Sequence, residues 1–88
     1  MASYRIEFRR SAERDIRRIS PIFIPRILAR VAMLGDDPLP RQAVKLTEGQ
    51  GMYRLRVGAY RVIYEVDAVG GSVMVHYIRH RREAYRGV

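Results

Sequence analysis

The chain contains no cysteine, and only one of its 17 basic residues, Lys45, is a lysine. Without cysteine there is no disulfide bond, no thiolate nucleophile and no zinc site built on thiolates. The sequence also has no apolar run long enough for a signal peptide or a membrane span, and its longest hydrophobic stretch is interrupted by Pro25. These absences predict a cytoplasmic protein without membrane contact.

Size and charge further restrict the kind of active site and the class of partner that the protein can have. The 88 residues predict a single domain, residues 1–88, whose one core leaves room only for a shallow active site or one shared with a partner. The formal net charge is +8, and sixteen of the 17 basic residues are arginines. Because the planar guanidinium binds phosphate bidentately and stacks on bases, a nucleic acid is the leading class of partner. A GC-rich genome would also enrich arginine, without any function.

The segment around Gly58-Ala59 carries the strongest functional signal. If these two residues close an antiparallel hairpin, Arg56 pairs with Arg61. Side chains alternate between the faces of a sheet, so Arg54 would share that face with them. The other face would carry an apolar set suited to a core: Tyr53, Leu55, Val57, Tyr60, Val62, Tyr64 and Val66.

Like charges that lie directly opposite each other repel, so this pairing costs stability unless an anion lies between the guanidiniums. Phosphate is the anion that such a group of arginines fits best. A solvated surface without further function is the alternative explanation for each arginine taken singly.

The N-terminal part predicts one strand and two helices. Apolar and charged residues alternate over residues 4–8, as in a strand with one buried face. Ser11 is placed to cap a short helix with the apolar stripe Ala12, Ile16 and Ile19. A second helix begins at Ser20-Pro21, or nearer Ile24 because Pro25 would remove a hydrogen bond, and runs to Gly35. Its stripe is Ile24, Ile27, Leu28, Val31 and Leu34.

The second half predicts further strands. Residues 36–40 read as a helix stop and linker, and residues 41–51 as a surface excursion without periodicity. After the hairpin, Gly70-Gly71 predicts a turn, and residues 73–79 predict a strand that is apolar on both faces and therefore central. The predicted fold is α+β: an N-terminal strand, a two-helix hairpin and a three-stranded antiparallel meander (β-α-α-β-β-β), with the helices on one face of the sheet.

A basic cluster lies at the end of the last predicted strand and contains Arg79, His80, Arg81, Arg82 and Arg86. If Gly70-Gly71 is a two-residue turn, His80 lies opposite Arg61 and the cluster joins the hairpin arginines, whereas a three-residue loop would break this coincidence. In the same register, His76 lies opposite Glu65 and is expected to be structural. The alternative explanation for the basic cluster as a whole is a frayed basic tail.

Three segments resemble the RelE/ParE superfamily of bacterial and archaeal toxins: residues 53–56, 58–65 and 78–85. They read Tyr-Arg-Leu-Arg, Gly-Ala-Tyr-Arg-Val-Ile-Tyr-Glu and Ile-Arg-His-Arg-Arg-Glu-Ala-Tyr. RelE-like members of this superfamily cut messenger RNA in the ribosomal A site, whereas ParE-like members inhibit DNA gyrase and usually lack the terminal tyrosine. Tyr85 therefore favours the RelE-like branch.

The resemblance implies the toxin of a type II toxin–antitoxin system, acting on messenger RNA in the ribosome as an endoribonuclease without metal or other cofactor. Attack by the RNA's own 2′-hydroxyl would leave a 2′,3′-cyclic phosphate and a 5′-hydroxyl. The implied catalytic residues are Arg54, Arg56, Arg61, Arg81 and Tyr85, with Arg79 as an alternative to Arg81. We further expect RNA contacts from Arg82, Arg86 and Lys45.

The resemblance also implies a cognate antitoxin, RelB-like or ParD-like, that forms a hetero-oligomer with the toxin. Ile22 and Phe23 fall outside the stripe of the second helix, so they are either core or an apolar patch for such a partner. An amphipathic helix of the antitoxin would pack on that patch.

The proton transfers are left open by the sequence. Guanidiniums stabilise a phosphorane but stay protonated near neutral pH, so they are poor bases. Some relatives carry lysines where this chain has Arg54 and Arg56, and a lysine with a lowered pKa could act as the base. His80 is a possible catalytic acid or base here, and Tyr85 is a second candidate. The alternatives to a ribonuclease are a ParE-like gyrase inhibitor and a nontoxic nucleic-acid-binding relative.

Overall fold

A computed structural model describes residues 3–47 and 51–82 and contains a five-stranded sheet in the order β1-β5-β4-β3-β2. Strand β1 pairs with β5 in parallel, and the remaining neighbours are antiparallel. The predicted α+β architecture is confirmed. The elements are β1 (Arg5–Phe8), α1 (Arg10–Arg18), α2 (Ile24–Met33), β2 (Val44–Thr47), β3 (Met52–Val57), β4 (Tyr60–Asp67) and β5 (Ser72–His80). In the described ranges, no helix is long and apolar enough to cross a membrane.

The core lies between the helices and one face of the sheet. Leu55 and Val62 are direct partners in β3 and β4, and both are wholly buried, which confirms the predicted apolar face of the hairpin. The sheet contributes Leu55, Val57, Val62, Tyr64, Val73, Val75 and Ile78, and the helical segments contribute Ala12, Ile19, Ile27, Val31 and Leu34. Burying such side chains stabilises the fold by about 1.5–3 kcal/mol each.

Tyr64 ties the segment after α2 to this core. Its hydroxyl donates a hydrogen bond to the carbonyl oxygen of Pro38 at 2.8 Å. Burial raises the pKa of Tyr64, and the neighbouring Tyr53 and Asp37 raise it further. The hydroxyl therefore stays protonated and remains a donor.

Two expectations for the helices, the Ser11 cap and the burial of Leu28, need correction, and the later start of the second helix is confirmed. Ser11 does not cap α1, which has Arg9 at its N-cap and no side-chain cap. Helix α2 begins at the later of its two predicted positions, with Pro25 in its first turn, where a missing N–H costs little. Leu28 of the predicted stripe is exposed.

Strand β2 was not predicted, because the stretch from residue 41 to 51 was expected to be a surface excursion. The strand has only four residues, lies at the edge of the sheet, and has a register shift between Lys45 and Thr47. A segment this short offers too few alternations for a period of two to be recognised.

Helix α1 continues the edge of the sheet where β1 ends. Strand β1 pairs with β5 only as far as Val75. Beyond that point, Ser11 Oγ donates to the carbonyl oxygen of His76 at 2.6 Å, and Asp15 Oδ2 accepts from the backbone N–H of Ile78 at 3.0 Å. Ser11 and Asp15 are four residues apart in the helix, a rise of about 6 Å, and His76 and Ile78 are two residues apart in the strand, a rise of about 6.6 Å. Because the two rises are nearly equal, each side chain reaches its own backbone group of β5.

We expect Asp15→Ala to lower the free energy of unfolding by about 1–3 kcal/mol, because the part-buried N–H of Ile78 loses its acceptor. Asp15→Asn is the matched control, since its amide oxygen can still accept that hydrogen bond. Urea unfolding of both variants tests this. Equal stability of the alanine and asparagine variants would show that the contact at the strand edge contributes nothing.

Candidate nucleic-acid interface

The hairpin forms as predicted. Gly58 and Ala59 make a two-residue turn in which Gly58 has φ +61°, a left-handed conformation that favours glycine. Arg56 is the direct partner of Arg61, and Arg54 is the partner of Ile63. The three guanidinium-bearing residues therefore lie on the face of the sheet opposite the helices.

The predicted register of the next strand is wrong. The turn between β4 and β5 has four residues, since Asp67 pairs with Ser72, and Asp67 Oδ1 accepts from the N–H of Gly70 at 2.9 Å. A register shift follows between Ile63 and Tyr64. The longer turn moves the pairing by two residues and the shift moves it back by one, so Arg79, rather than His80, lies opposite Arg61.

The result is a row of arginines across three neighbouring strands. Arg56, Arg61 and Arg79 are consecutive cross-strand partners on β3, β4 and β5. With about 4.8 Å between strands, the three backbone positions fall within about 10 Å. We call the sheet surface that carries this row and Arg54 the arginine face.

Hydrogen bonds orient the two hairpin guanidiniums toward the turn. Arg56 Nε and Arg61 Nη1 both donate to the carbonyl oxygen of Gly58, each at 3.3 Å. Arg61 Nη1 also donates to the carbonyl oxygen of Tyr60 at 3.1 Å. The backbone N–H of Arg81 donates to the carbonyl oxygen of Ala59 at 2.7 Å, so the chain after β5 runs beside the same turn.

The arginines that lie close together also affect the pKa of Arg61. Partial burial lowers the pKa of Arg61, and the charges of Arg56, Arg54 and Arg81 lower it further. A guanidinium nevertheless stays protonated near neutral pH, so the site keeps its positive charge. The repulsion between these neighbouring guanidiniums is relieved when an anion binds to them.

Two residues missed by the sequence analysis complete a groove on this side. The groove is shallow, has a volume of about 480 Å³, and is lined by Arg26, Gln42, Arg54, Arg56, Gly58 and Arg61. Arg26 reaches it from α2, with Nη1 3.9 Å from where a Cβ on Gly58 would lie. No local pattern identifies Arg26 or Gln42, because only the tertiary fold brings these elements together.

Other predicted site residues lie elsewhere. His80 is the partner of Tyr60, so it points to the helix side of the sheet, with the two ring centroids 5.6 Å apart in an edge-to-face arrangement. Its Nδ1 accepts from the backbone N–H of Arg82, which is exposed. Lys45 pairs with Tyr53 and shares that side. Tyr85 and Arg86 lie outside the described residues.

His76 has the expected neighbour. Its Nε2 lies 3.0 Å from Glu65 Oε1, although the backbone partner of Glu65 is Met74. Over residues 3–47 and 51–82, no group of three or more histidine, aspartate or glutamate side chains is close enough together to hold a metal ion.

Ile22 and Phe23 form an exposed apolar patch, and the alternative that they are core is wrong. Their relative exposures are 78% and 47%. The centroid of the Phe23 ring lies 5.7 Å from that of the Tyr60 ring, at the mouth of a small apolar groove between α2 and the hairpin turn.

Residues 6–85 match the family of ParE toxins of type II toxin–antitoxin systems, parDE. The chain is 30% identical to Toxin RelG of Mycobacterium tuberculosis (strain ATCC 25618 / H37Rv), an alignment that covers 94% of this chain and 97% of RelG.

Solved structures of toxins share the fold of this chain. The RelBE2 toxin–antitoxin complex of Mycobacterium tuberculosis contains a chain with 26% identity and a TM-score of 0.81, covering 92% of this chain and 94% of that one. The archaeal RelE–RelB complex of Pyrococcus horikoshii OT3 gives 24% identity and a TM-score of 0.77, covering 93% and 99% of the two chains. The isolated E. coli RelE toxin gives 18% and 0.77, covering 89% and 84%; these last two show the fold alone. The chain belongs to the RelE/ParE superfamily and is a toxin of the type II toxin–antitoxin class.

Proposed function

We propose that this toxin is a ribosome-dependent, metal-independent endoribonuclease of the cytoplasm that cleaves messenger RNA through the RNA's own 2′-hydroxyl. The observation that carries the proposal is the row of Arg56, Arg61 and Arg79 across three strands. A row of cations on an open sheet face suits a phosphodiester, whose charge grows as it is attacked.

The reaction divides into three tasks. The 2′-oxygen attacks phosphorus as its proton is removed, the phosphorane gains negative charge, and the bond to the 5′-oxygen breaks as that oxygen takes up a proton. The products are a 2′,3′-cyclic phosphate and a 5′-hydroxyl. Arg61, at the centre of the row, is assigned to the phosphorane together with Arg56 and Arg79.

The remaining arginines hold the RNA backbone at the edges of the row. Arg54 lines the groove beside Arg56, and Arg81 follows β5 at the hairpin turn. Arg26 and Gln42 add contacts from α2 and from the segment before β2. Arg86, which lies outside the described residues, stays a predicted RNA contact.

The proton transfers require a residue other than the arginines of the row. The arginines of the row stay protonated, and His80 faces the opposite side of the sheet. Of the residues implied by the superfamily, Tyr85 is the one whose side chain, a hydroxyl, can both give up and take up a proton. We assign Tyr85 to proton transfer, and to the ribosome the task of holding the flexible strand against a shallow groove.

The match to the ParE family favours a second candidate function, the inhibition of DNA gyrase by binding alone. Such a toxin would need the fold and a positive surface but none of the catalytic groups. Loss of Arg61 or Tyr85 chemistry would then leave toxicity intact.

The RelE-like chains in the solved complexes are bound by RelB antitoxins. By analogy, we infer that a RelB-like or ParD-like antitoxin binds this toxin as a hetero-oligomer. The patch of Ile22 and Phe23 suits the apolar face of an antitoxin helix, because Phe23 stands at the mouth of the small groove formed with Tyr60.

We expect Arg61→Ala to reduce cleavage of an mRNA programmed into purified ribosomes on the order of 100-fold, because the phosphorane loses its central cation. Tyr85→Phe should also reduce cleavage. The control is Arg17→Ala, which removes an exposed arginine from α1. Mapped ends must lie in the A site and carry cyclic phosphates. If a folded wild-type protein leaves the mRNA intact while it inhibits gyrase, the second function is correct.

For the partner surface, we expect Phe23→Glu to weaken binding of the proposed cognate antitoxin by about 10-fold or more, with cleavage of ribosome-bound mRNA retained. The control is Val69→Glu, which adds the same charge at a fully exposed position in the turn before β5. Equal loss of antitoxin binding and cleavage, with a lower melting temperature, would mean that Phe23 supports the fold instead.

A further inference from the structure

A second groove adjoins the arginine face, between α1 and β5. It has a volume of about 260 Å³ and is lined by Ser11, Arg14, Asp15, Arg18, Tyr77 and Arg79. The four helical residues follow the i, i+3, i+4, i+7 spacing of one helix stripe. Since Arg79 also belongs to the arginine row, the groove continues the proposed RNA path past the site of cleavage.

Tyr77 provides an aromatic floor for this groove. It is the direct partner of Ile63, which is wholly buried on the arginine face beside Arg54. The Arg79 guanidinium carbon lies 4.0 Å from the centroid of the Tyr77 ring. Guanidinium planes and aromatic rings are the surfaces on which proteins stack unpaired RNA bases.

Asp15 fixes the position of the stacked arginine. Its Oδ2 lies 3.6 Å from Arg79 Nε, and the same oxygen accepts from the N–H of Ile78. The carboxylate is held from the strand side and is largely buried. The stacked pair is therefore preorganised, which reduces the entropy lost when a base binds.

The helix supplies the cations of the opposite wall. Arg14 and Arg18 are exposed, and they lie one helical turn apart, about 6 Å along the axis. Together with Arg79 they outnumber the one carboxylate of the groove, so its field favours a phosphate group.

We propose that the groove between α1 and β5 is a nucleotide subsite for single-stranded RNA, in which a base next to the scissile phosphate stacks on the Tyr77–Arg79 pair. Arg14 and Arg18 contact the backbone phosphate of that nucleotide. The inference rests on the proposed ribonuclease function and assigns a binding function to Tyr77. An acidic peptide would use the same cations without using the ring, and this difference separates the two ligands.

The test uses a 2′-O-methylated RNA hexamer that carries 2-aminopurine, whose fluorescence is quenched by stacking. We expect the full chain to quench it on binding. Tyr77→Leu should lose the quenching and bind about 5-fold to 150-fold more weakly, the range that corresponds to one stacked base. Tyr77→Phe is the matched control and should behave as the wild type, because the ring is retained.

A second pair of variants keeps the proposal testable if Tyr77→Leu is unstable. Arg14→Gln with Arg18→Gln should weaken hexamer binding and flatten its salt dependence, compared with Arg10→Gln and Arg17→Gln, which change two arginines of α1 that do not line the groove. Equal effects of the two double variants would overturn the subsite, as would unchanged quenching in a folded Tyr77→Leu protein. Displacement of the hexamer by oligoglutamate of equal charge with equal affinity would show a surface for any polyanion and would also overturn it.

Cleavage of ribosome-bound mRNA separates this inference from the proposed function. A wild-type chain that cleaves mRNA, with Tyr77→Leu showing normal quenching, would overturn the subsite and leave the ribonuclease. A wild-type chain that does not cleave, with quenching lost in Tyr77→Leu, would support the subsite and overturn the ribonuclease.

Discussion

The alternation of side chains in the β3–β4 pair is the constraint on which the rest of the molecule depends. With Leu55 and Val62 wholly buried on the helix side, Arg56 and Arg61 must point to the other face as direct partners. A slip by one residue would exchange the two sets, exposing the apolar side chains and burying guanidiniums at several kcal/mol each. The repulsion between neighbouring arginines is small by comparison, a few tenths of a kcal/mol to about 1 kcal/mol. The core therefore holds like charges together, and the site depends on the core for its geometry.

The third arginine of the row depends on a different contact, the one between α1 and the edge of β5. Asp15 accepts from the Ile78 N–H and lies 3.6 Å from Arg79 Nε, so one carboxylate both completes the sheet edge and orients a site residue. The four-residue turn and the register shift together make this possible, because their net effect places Arg79 rather than His80 opposite Arg61. Fold stability and site geometry are thus coupled through Asp15, in contrast to Arg56 and Arg61, which are oriented by the carbonyl of Gly58 within the hairpin itself.

Whether an element could be predicted from the sequence depends on how close together in the chain the residues that determine it lie. The hairpin register was predictable because a two-residue glycine turn and a strict period of two act within 15 residues. The β4–β5 register was not, because a four-residue turn and a register shift are both invisible in the pattern of apolar residues, and an error of one residue moves His80 to the other face. Arg26 and Gln42 reach the groove from elements distant in sequence, and nothing in their local surroundings marks them. The exposure of Phe23 was also undecided by the sequence, since helix periodicity does not show which residues beside the stripe are covered.

The use of arginine throughout the row limits the chemistry that this face can perform. A lysine among cations can lose its proton near neutral pH and serve as a base, whereas a guanidinium with a lowered pKa remains charged. Arg61 is in this position, since partial burial and three neighbouring arginines lower its pKa without making it a base. The row can therefore bind and stabilise negative charge at every physiological pH, but it cannot move protons. If the toxin cleaves RNA, its pH dependence must come from a group outside the row, and the arginines must contribute through the difference in charge between the phosphodiester and the phosphorane.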